Sequence, residues 1–354
     1  MISKEIIHTI ENDPQSLKDL LYGLGSEYLK VIDKNPDEIM PYLGDHAFWE
    51  AVYSQDGWGM DTMDAFRCLV DIERTRVLIQ GIGETVKRLQ LEGHQEITAI
   101  DAGTGTSILA IALVAFGCDK VHALEINENT AKAAQKFVDK LGLRKQIEVI
   151  NCDATKINLG KTSADILVSE NLSVGLFDEP QYYIINHLSN FLAPHAKIIP
   201  HSGGVYASVG SSSWEGIDRW TLAARRIGDL QHLSGMEKYA EVKSELFMPV
   251  PRVKGRVKIP IANNDFPINT LMISSRFQIN EDPFAVYLEP DTAEFLGKSA
   301  ALRLPSSVIP QDGIVKVSLS YISGMPRKES HIMVKGNTIT LSSPQKWVRK
   351  LKKS

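Results

Sequence analysis

Two carboxylates bracket a glycine-containing stretch in the middle of the chain. They are Glu170 and Glu179 in "SENLSVGLFDEP", residues 169–180, and no lysine or arginine lies between them. Like charges held close repel, so the arrangement asks for a cation to balance it. A guanidinium answers that demand. It stays protonated in proteins, it is planar, and its donors form a fork. Two carboxylates grip such a group from two edges, with at least one bidentate contact. They localise positive charge away from one terminal nitrogen, which delocalisation otherwise leaves a poor nucleophile. The competing reading of Glu179 is structural: acids are favoured in the first turn of a helix, and Pro180 beside it marks a helix start.

A second group lies upstream. "AIDAGTGTSILA" places Asp101, Gly103 and Gly105 where a strand turns into a helix. Glycines there permit a tight turn and let backbone N–H groups come close to a ligand. The dinucleotide pattern G-x-G-x-x-G is broken, because Ile108 occupies its third position. Asp101 would also repel a pyrophosphate, which makes a nicotinamide dehydrogenase the weakest reading. S-adenosylmethionine carries an ammonium and a sulfonium and no phosphate, and it matches better. Glu125, ending the next strand in "HALEIN", is placed to accept from both ribose hydroxyls. Asp153 with Ala154, ending the third in "NCDA", is placed to receive an adenine amino group, the alternative being a loop aspartate at the surface.

The elements that must position these residues follow from periodicity. Residues 1–45 read as short helices interrupted at Asn-Pro and Asp-Pro, and residues 62–90 as one long helix weakened at Gly81 and Gly83. Strand and helix signals then alternate through "EITAIDAG", "TSILAIALVAFG", "KVHALEI", "NENTAKAAQKFVDKLG", "IEVINCDA" and "ADILVSE". A helix over "EPQYYIINHLSNFLAPHA" and a strand over "KIIPHSGGVYASVG" follow. That order is α/β, a Rossmann-like doubly wound parallel sheet, over residues 46–200. Residues 201–354 change to short, turn-bounded alternating runs, an antiparallel β-barrel or sandwich. A Trp-containing helical stretch interrupts them at about 211–245. The chain has 354 residues, enough for two domains, with net charge −4 and 23% charged residues. No basic field points to nucleic acid, and no run of about 20 apolar residues spans a membrane. Scattered Cys68, Cys118 and Cys152, and a charged N-terminus without a signal-like apolar run, imply a cytoplasmic protein.

"IDAGTGTSILA", "ALEIN" and "SENLSVGLFDE", in that order, resemble the protein arginine methyltransferases, whose two loop glutamates follow Ser with eight residues between them. "CLVDIERTR" resembles the family's Asp-x-x-Arg-Thr, here Asp71, Arg74 and Thr75. The resemblance covers residues 50–220 and is architectural beyond. It implies catalytic Glu170 and Glu179. It implies a donor, S-adenosylmethionine, held by Arg74 (on the donor carboxylate), Asp101, Gly103, Gly105, Glu125, Asp153 and Ala154, and released as S-adenosylhomocysteine. It further implies a methyl acceptor with a guanidino group, a barrel as the second domain, and a homodimer built through the helical arm. Four departures stand out. Ser107 replaces a motif glycine, and Glu-Asn-Leu-Ser replaces Glu-Trp-Met-Gly. "HAFWEAVYSQDGW" only loosely echoes the family's aromatic segment, and no Thr-His-Trp sequence occurs. Without that last loop the acceptor expected is a guanidino-containing small molecule or peptide. Two other readings compete: methyl transfer to an oxygen or carbon acceptor, and a non-catalytic dimeric regulator that keeps the donor domain.

Overall fold

The computed structural model describes residues 14–44, 59–172, 179–213, 220–222, 231–232, 234, 237–243, 252–261, 266–290, 292, 300–322, 331–334 and 337–340. The aromatic segment 46–58 and the loop residues 173–178 lie outside them, as does the basic C-terminal run.

Residues 14–31 form one continuous helix, α1 (Pro14–Val31), which ends before the expected Asn35–Pro36 interruption. Leu17, Leu21, Leu24, Tyr28 and Leu29 all enter the main core, so a single apolar stripe carries the helix through Gly23 and Gly25. Gly25 is a packing residue, since a Cβ there would lie 2.8 Å from Val70 Cγ1. A short helix, α2 (Pro36–Ile39), follows, capped by Asn35 accepting from the Asp37 amide.

The long helix expected over 62–90 is two helices, α3 (Thr62–Val70) and α4 (Ile72–Leu91). The break is at Asp71, whose ψ of 87° leaves the helical region, and not at the glycines. Gly81 and Gly83 sit inside α4 because neighbours come too close for a side chain. A Cβ on Gly81 would lie 2.3 Å from Ile279 Cγ2, and one on Gly83 would lie 2.7 Å from the Phe116 ring. Gly81→Ala gains about 1 kcal/mol in helix propensity, but overpacking against the fully buried Ile279 costs about 1–3 kcal/mol. Urea unfolding should therefore show a net loss of stability, and a gain would mean that Ile279 is free to move aside.

The central sheet has the order β3-β2-β1-β4-β5, all parallel. Its strands are β1 (Thr98–Ala102), β2 (Lys120–Glu125), β3 (Ile147–Asn151), β4 (Ala164–Ser169) and β5 (Leu192–Ile199). Crossovers α5 (Ile108–Phe116), α6 (Glu128–Lys140) and α7 (Gln181–Leu188) join them. Every residue of α5 is buried, as a helix that is apolar all round must be. The sheet order reverses between β1 and β4, and ligands of such sheets bind at the carboxyl ends beside that reversal. Gly103 follows β1 and Glu170 follows β4, so the two sequence groups meet there. The helix expected to run to Ala196 ends at Leu188, and β5 begins at Leu192, where apolar residues re-enter the sheet beside β4.

The single strand expected over 197–210 is likewise two. After Ile199 the chain leaves the parallel sheet and enters β6 (Ser202–Ser211), which pairs antiparallel with β11 (Ile268–Gln278). The sheet built on that pair runs β7 (Trp220–Leu222), β13 (Ala300–Val308), β11, β6, β8 (Gln231–His232). β9 (Glu237–Lys243) also pairs with β6, and β12 (Tyr287–Leu288) with β11. A second antiparallel sheet runs β10 (Arg252–Pro260), β14 (Ile314–Ile322), β15 (His331–Val334), β16 (Asn337–Thr340). The helical interruption expected at 211–245 is corrected wherever that stretch is described: residues 220–222, 231–232 and 237–243 are strands, held by ladders to β13 and β6. Trp220 in β7 suits a strand, where aromatic residues are favoured. Residues 214–219 and 223–230 lie outside the described set.

The two parts are joined by packing and charge. Glu281 accepts from Arg88 Nη1 at 2.8 Å on α4 and from Lys197 Nζ at 3.1 Å on β5, while Ile279 fills the notch at Gly81. No helix among the described residues is long and apolar enough to cross a membrane.

Candidate active site

The turn after β1 is left-handed three times, at Gly103 (φ 77°), Gly105 (φ 54°) and Ser107 (φ 67°). Ser107, which stands where the motif would carry glycine, thus keeps glycine's conformation at a cost that a side chain pays in that region. The Gly103 and Thr104 amides both donate to Leu124 O at 2.9 Å, which pins the turn to β2. Asp101 is buried (1% exposed), and its Oδ2 accepts from Thr104 Oγ1 at 2.5 Å. Burial pushes the Asp101 carboxyl up to about 6, against hydrogen bonds from Thr104 and the Ala110 amide. It organises the glycine turn from beneath.

Glu125 is also buried. Its Oε2 accepts from the Gly105 amide at 3.0 Å and its Oε1 from the Asn127 amide at 2.9 Å, so both oxygens are fixed at the end of β2. Burial raises its pKa and those amides oppose the rise. Asp153 accepts from the Thr155 amide at 2.9 Å, from Thr155 Oγ1 at 2.6 Å and from Lys156 Nζ at 2.6 Å. It therefore braces its own turn, and it lines a cleft of about 370 Å³ together with Gly103, Ile126, Ala154, Asn171 and Ile184.

Sequence reasoning passed over two residues that shape this region. Asn171 Nδ2 donates to Ala102 O at 2.7 Å, and the side chain lies over Gly103, whose hypothetical Cβ would be 2.5 Å from Asn171 Oδ1. That close approach explains the glycine more directly than its φ does. Gln181 Oε1 accepts from Ser169 Oγ at 2.9 Å and from the Asn171 amide at 3.0 Å, and its Nε2 donates to Ser169 O. One buried side chain at the start of α7 thereby ties the two ends of the double-glutamate loop together. The signal was present as a polar residue in an otherwise apolar first turn, two positions after Glu179.

Arg74 lies buried in the first turns of α4. Its Nη1 donates to Cys68 O at 3.0 Å, and its Nε donates to Glu170 Oε2 at 2.7 Å, with Nη2 on the same oxygen. Both side chains are under 8% exposed (6% and 7%). Arg74 and Glu170 thus form a buried ion pair reaching 96 positions along the chain. Burial is the chief influence on Glu170 and raises its pKa, and the Arg74 guanidinium opposes this. One of the two expected carboxylates is thus already balanced by an arginine of the chain itself.

Glu179 is different. It is partly buried, and no hydrogen bond or ion pair to its side chain occurs among the described residues. Burial, then the Glu170 charge, push its carboxyl up to about 8, with Arg74 pulling the other way. A carboxyl raised from 4.5 to about 8 binds a proton more tightly in the fold than in the unfolded chain. Its contribution to stability is therefore complete below pH 4.5 and declines as pH rises towards 8. Urea midpoints of the wild type and Glu179→Gln, compared at pH 5 and pH 8, should show the wild type losing ground to the variant at the higher pH. An unchanged difference would contradict the raised value.

With this geometry in view, likeness to known proteins becomes informative. Residues 74–204 match the family described as Ribosomal protein L11 methyltransferase (PrmA). Protein arginine N-methyltransferase 7 of Xenopus laevis is 32% identical over 153 residues, covering 41% of this chain and 22% of that protein. The Drosophila willistoni protein of the same name is 30% identical over 232 residues, covering 63% of this chain and 31% of its own length. The chain thus spans less than a third of the length of these curated relatives. Among solved structures, the Trypanosoma brucei PRMT1 enzyme-prozyme heterotetrameric complex with AdoHcy superposes with a TM-score of 0.63 at 15% identity, covering 76% of this chain and 91% of that one. Arabidopsis thaliana protein arginine methyltransferase 10 gives 0.62 at 14% identity, covering 78% and 94%. The chain is similar to protein arginine methyltransferases in sequence and in fold. The structural neighbours carry the likeness across both the parallel sheet and the antiparallel region, and the arginine methyltransferase 7 relatives carry it in sequence.

Proposed function

We propose that the chain is an S-adenosylmethionine-dependent N-methyltransferase that acts on a guanidino nitrogen. The observation that carries this reading is the asymmetry of the two carboxylates. Glu179 stands without a cation among the described residues, beside a buried Glu170 that already holds a guanidinium of the protein. A site that stabilises one guanidinium has the charge and shape to take another.

The residues at the carboxyl ends of β1 and β2 fit the donor. Glu125 has both oxygens held in place by backbone amides, Gly103 admits close approach under Asn171, and Ala154 with Asp153 lines the adjoining cleft. Arg74, Asp101, Gly103, Gly105, Glu125, Asp153 and Ala154 would hold S-adenosylmethionine, which supplies an electrophilic methyl on a sulfonium and leaves as S-adenosylhomocysteine. Glu170 and Glu179 would orient the acceptor and offset the repulsion between two cations, so that catalysis is positioning and electrostatics. Arg74 links the two halves: a donor carboxylate taken up by its guanidinium loosens its hold on Glu170 and frees that carboxylate for the acceptor.

The acceptor is a guanidino-containing small molecule, peptide or protein. We assign the two antiparallel sheets to a β-barrel-type domain over 201–354, following a nucleotide domain over 46–200 and the helical segment 1–45, and we infer a homodimer. The named heterotetramer of the structural neighbour supports assembly, and the three free thiols support a reducing, cytoplasmic setting. The test is mass spectrometry after incubation with labelled donor and a panel of free arginine, arginine peptides and guanidino metabolites. Label on a guanidino nitrogen is expected. One observation favours a second reading, transfer to an oxygen or carbon: Glu170 is engaged by Arg74. Label on such an acceptor alone would establish that reading instead.

A further inference from the structure

At the opposite end of the sheet from this cleft, three side chains come together from three elements. We propose that His94, Asp165 and His195 bind a zinc ion, with a solvent water as fourth ligand. One ligand atom from each residue lies within 4.8 Å of the other two. Tetrahedral zinc with nitrogen and oxygen ligands sets neighbouring ligand atoms roughly 3.3 Å apart, so small side-chain shifts close the site.

Each ligand is held by something other than the cluster. His94 follows α4 in a Schellman motif: the Gly93 amide donates to Gln90 O at 3.1 Å and the His94 amide to Leu89 O at 3.0 Å, with Gly93 at φ 98°. Asp165, 8% exposed, has Oδ2 occupied by the Thr98 amide at 2.8 Å, which turns Oδ1 to His195 Nε2 at 2.7 Å. A carboxylate braced through its second oxygen is the outer-sphere support metal ligands commonly have. His195 owes its position to an irregularity in the sheet. On β4 the register advances two residues, Ala164 to Ile166, while on β5 it advances from Leu192 to Lys197. The extra residues of this edge strand bulge out, and bulges re-aim side chains next to functional sites. The bulge brings the His195 ring onto the His94 ring, with centroids 4.1 Å apart and planes 24° apart.

Two imidazoles and one carboxylate, with no thiolate, suit zinc. The His195 side chain is 39% exposed, which leaves room for water as the fourth ligand. An ion here would staple the end of α4 to β4 and to the edge strand β5. Its place at the amino ends of the strands, away from the glycine turn, gives it a structural role. The site does not depend on the function proposed above.

The full chain, stripped with chelator and dialysed, should take up one zinc per chain in metal analysis and calorimetry. At a hundredfold excess over the dissociation constant its melting temperature should rise by about 4 °C. His94→Gln and, separately, His195→Gln should weaken zinc at least about a hundredfold, since even outer-sphere changes cost ten- to a hundredfold. Two variants are used so that a folding defect in one leaves the other to report. Less than about a tenth of a zinc per wild-type chain, or unchanged affinity in a folded variant, would overturn the proposal and leave an ordinary Asp–His hydrogen bond under stacked rings.

Discussion

Replacing Glu179 by Gln is expected to cut methyl transfer to a guanidino acceptor by about a hundredfold or more, the scale on which removing one preorganised electrostatic stabiliser acts. The substitution is nearly isosteric, so the loss is one of charge. It should fall on kcat, or on kcat and KM for the acceptor together, and leave the donor dissociation constant within about twofold, because Glu179 is assigned to the acceptor and not to the donor. The pH profile gives a second readout. The free carboxyl, raised to about 8, must lose its proton to grip a cation, so kcat/KM should climb with pH through neutrality and level off above about 8. The Gln variant should lack that limb. Activity retained within about threefold would remove Glu179 from the chemistry and favour an oxygen or carbon acceptor.

The second large effect is on stability. Arg74→Ala leaves the Glu170 carboxylate buried with its partner gone, and breaking a buried pair from one side costs about 3–5 kcal/mol. It also removes the Arg74 Nη1 hydrogen bond to Cys68 O at 3.0 Å, although Thr75 Oγ1 still donates to that carbonyl at 2.9 Å. Urea unfolding should register a loss of that size. The double variant Arg74→Ala/Glu170→Gln should recover much of it, because the uncompensated charge disappears. A ΔΔG below about 1 kcal/mol for the single variant would mean that the pair is solvated in solution. In the folded fraction, donor affinity should fall as well, since the same guanidinium is assigned to the donor carboxylate. The double variant should not restore that affinity, which separates the structural role of Arg74 from its binding role.

Much of the candidate site was legible because its residues sit at strand ends. Acids at 101, 125 and 153 follow short apolar runs, and the glycine turn follows the first of them, so period and punctuation together located the carboxyl edge of the sheet. What escaped was set by contacts far apart in sequence. The Arg74–Glu170 pair joins positions that no local pattern connects. Gly81 and Gly83 looked like helix breakers, yet they are the places where Ile279 and the Phe116 ring press on α4, and Asp71 makes the real break. The bulge at His195 and the ladders at 220–222 and 237–243 depend on partner strands, which is where intrinsic preference is weakest as a guide.

The grip of Arg74 on Glu170 also bears on which reagents suit this protein. The chain already satisfies one of its acidic loop residues with the very ion that a common chaotrope releases in bulk. On the function proposed above, guanidinium chloride is a candidate competitor for the acceptor place beside Glu179 at concentrations far below those that unfold a protein, and arginine as a solubilising additive would act the same way. Urea, uncharged and without the fork, is the solute with which to weigh the fold, and assay buffers are best kept free of both cations.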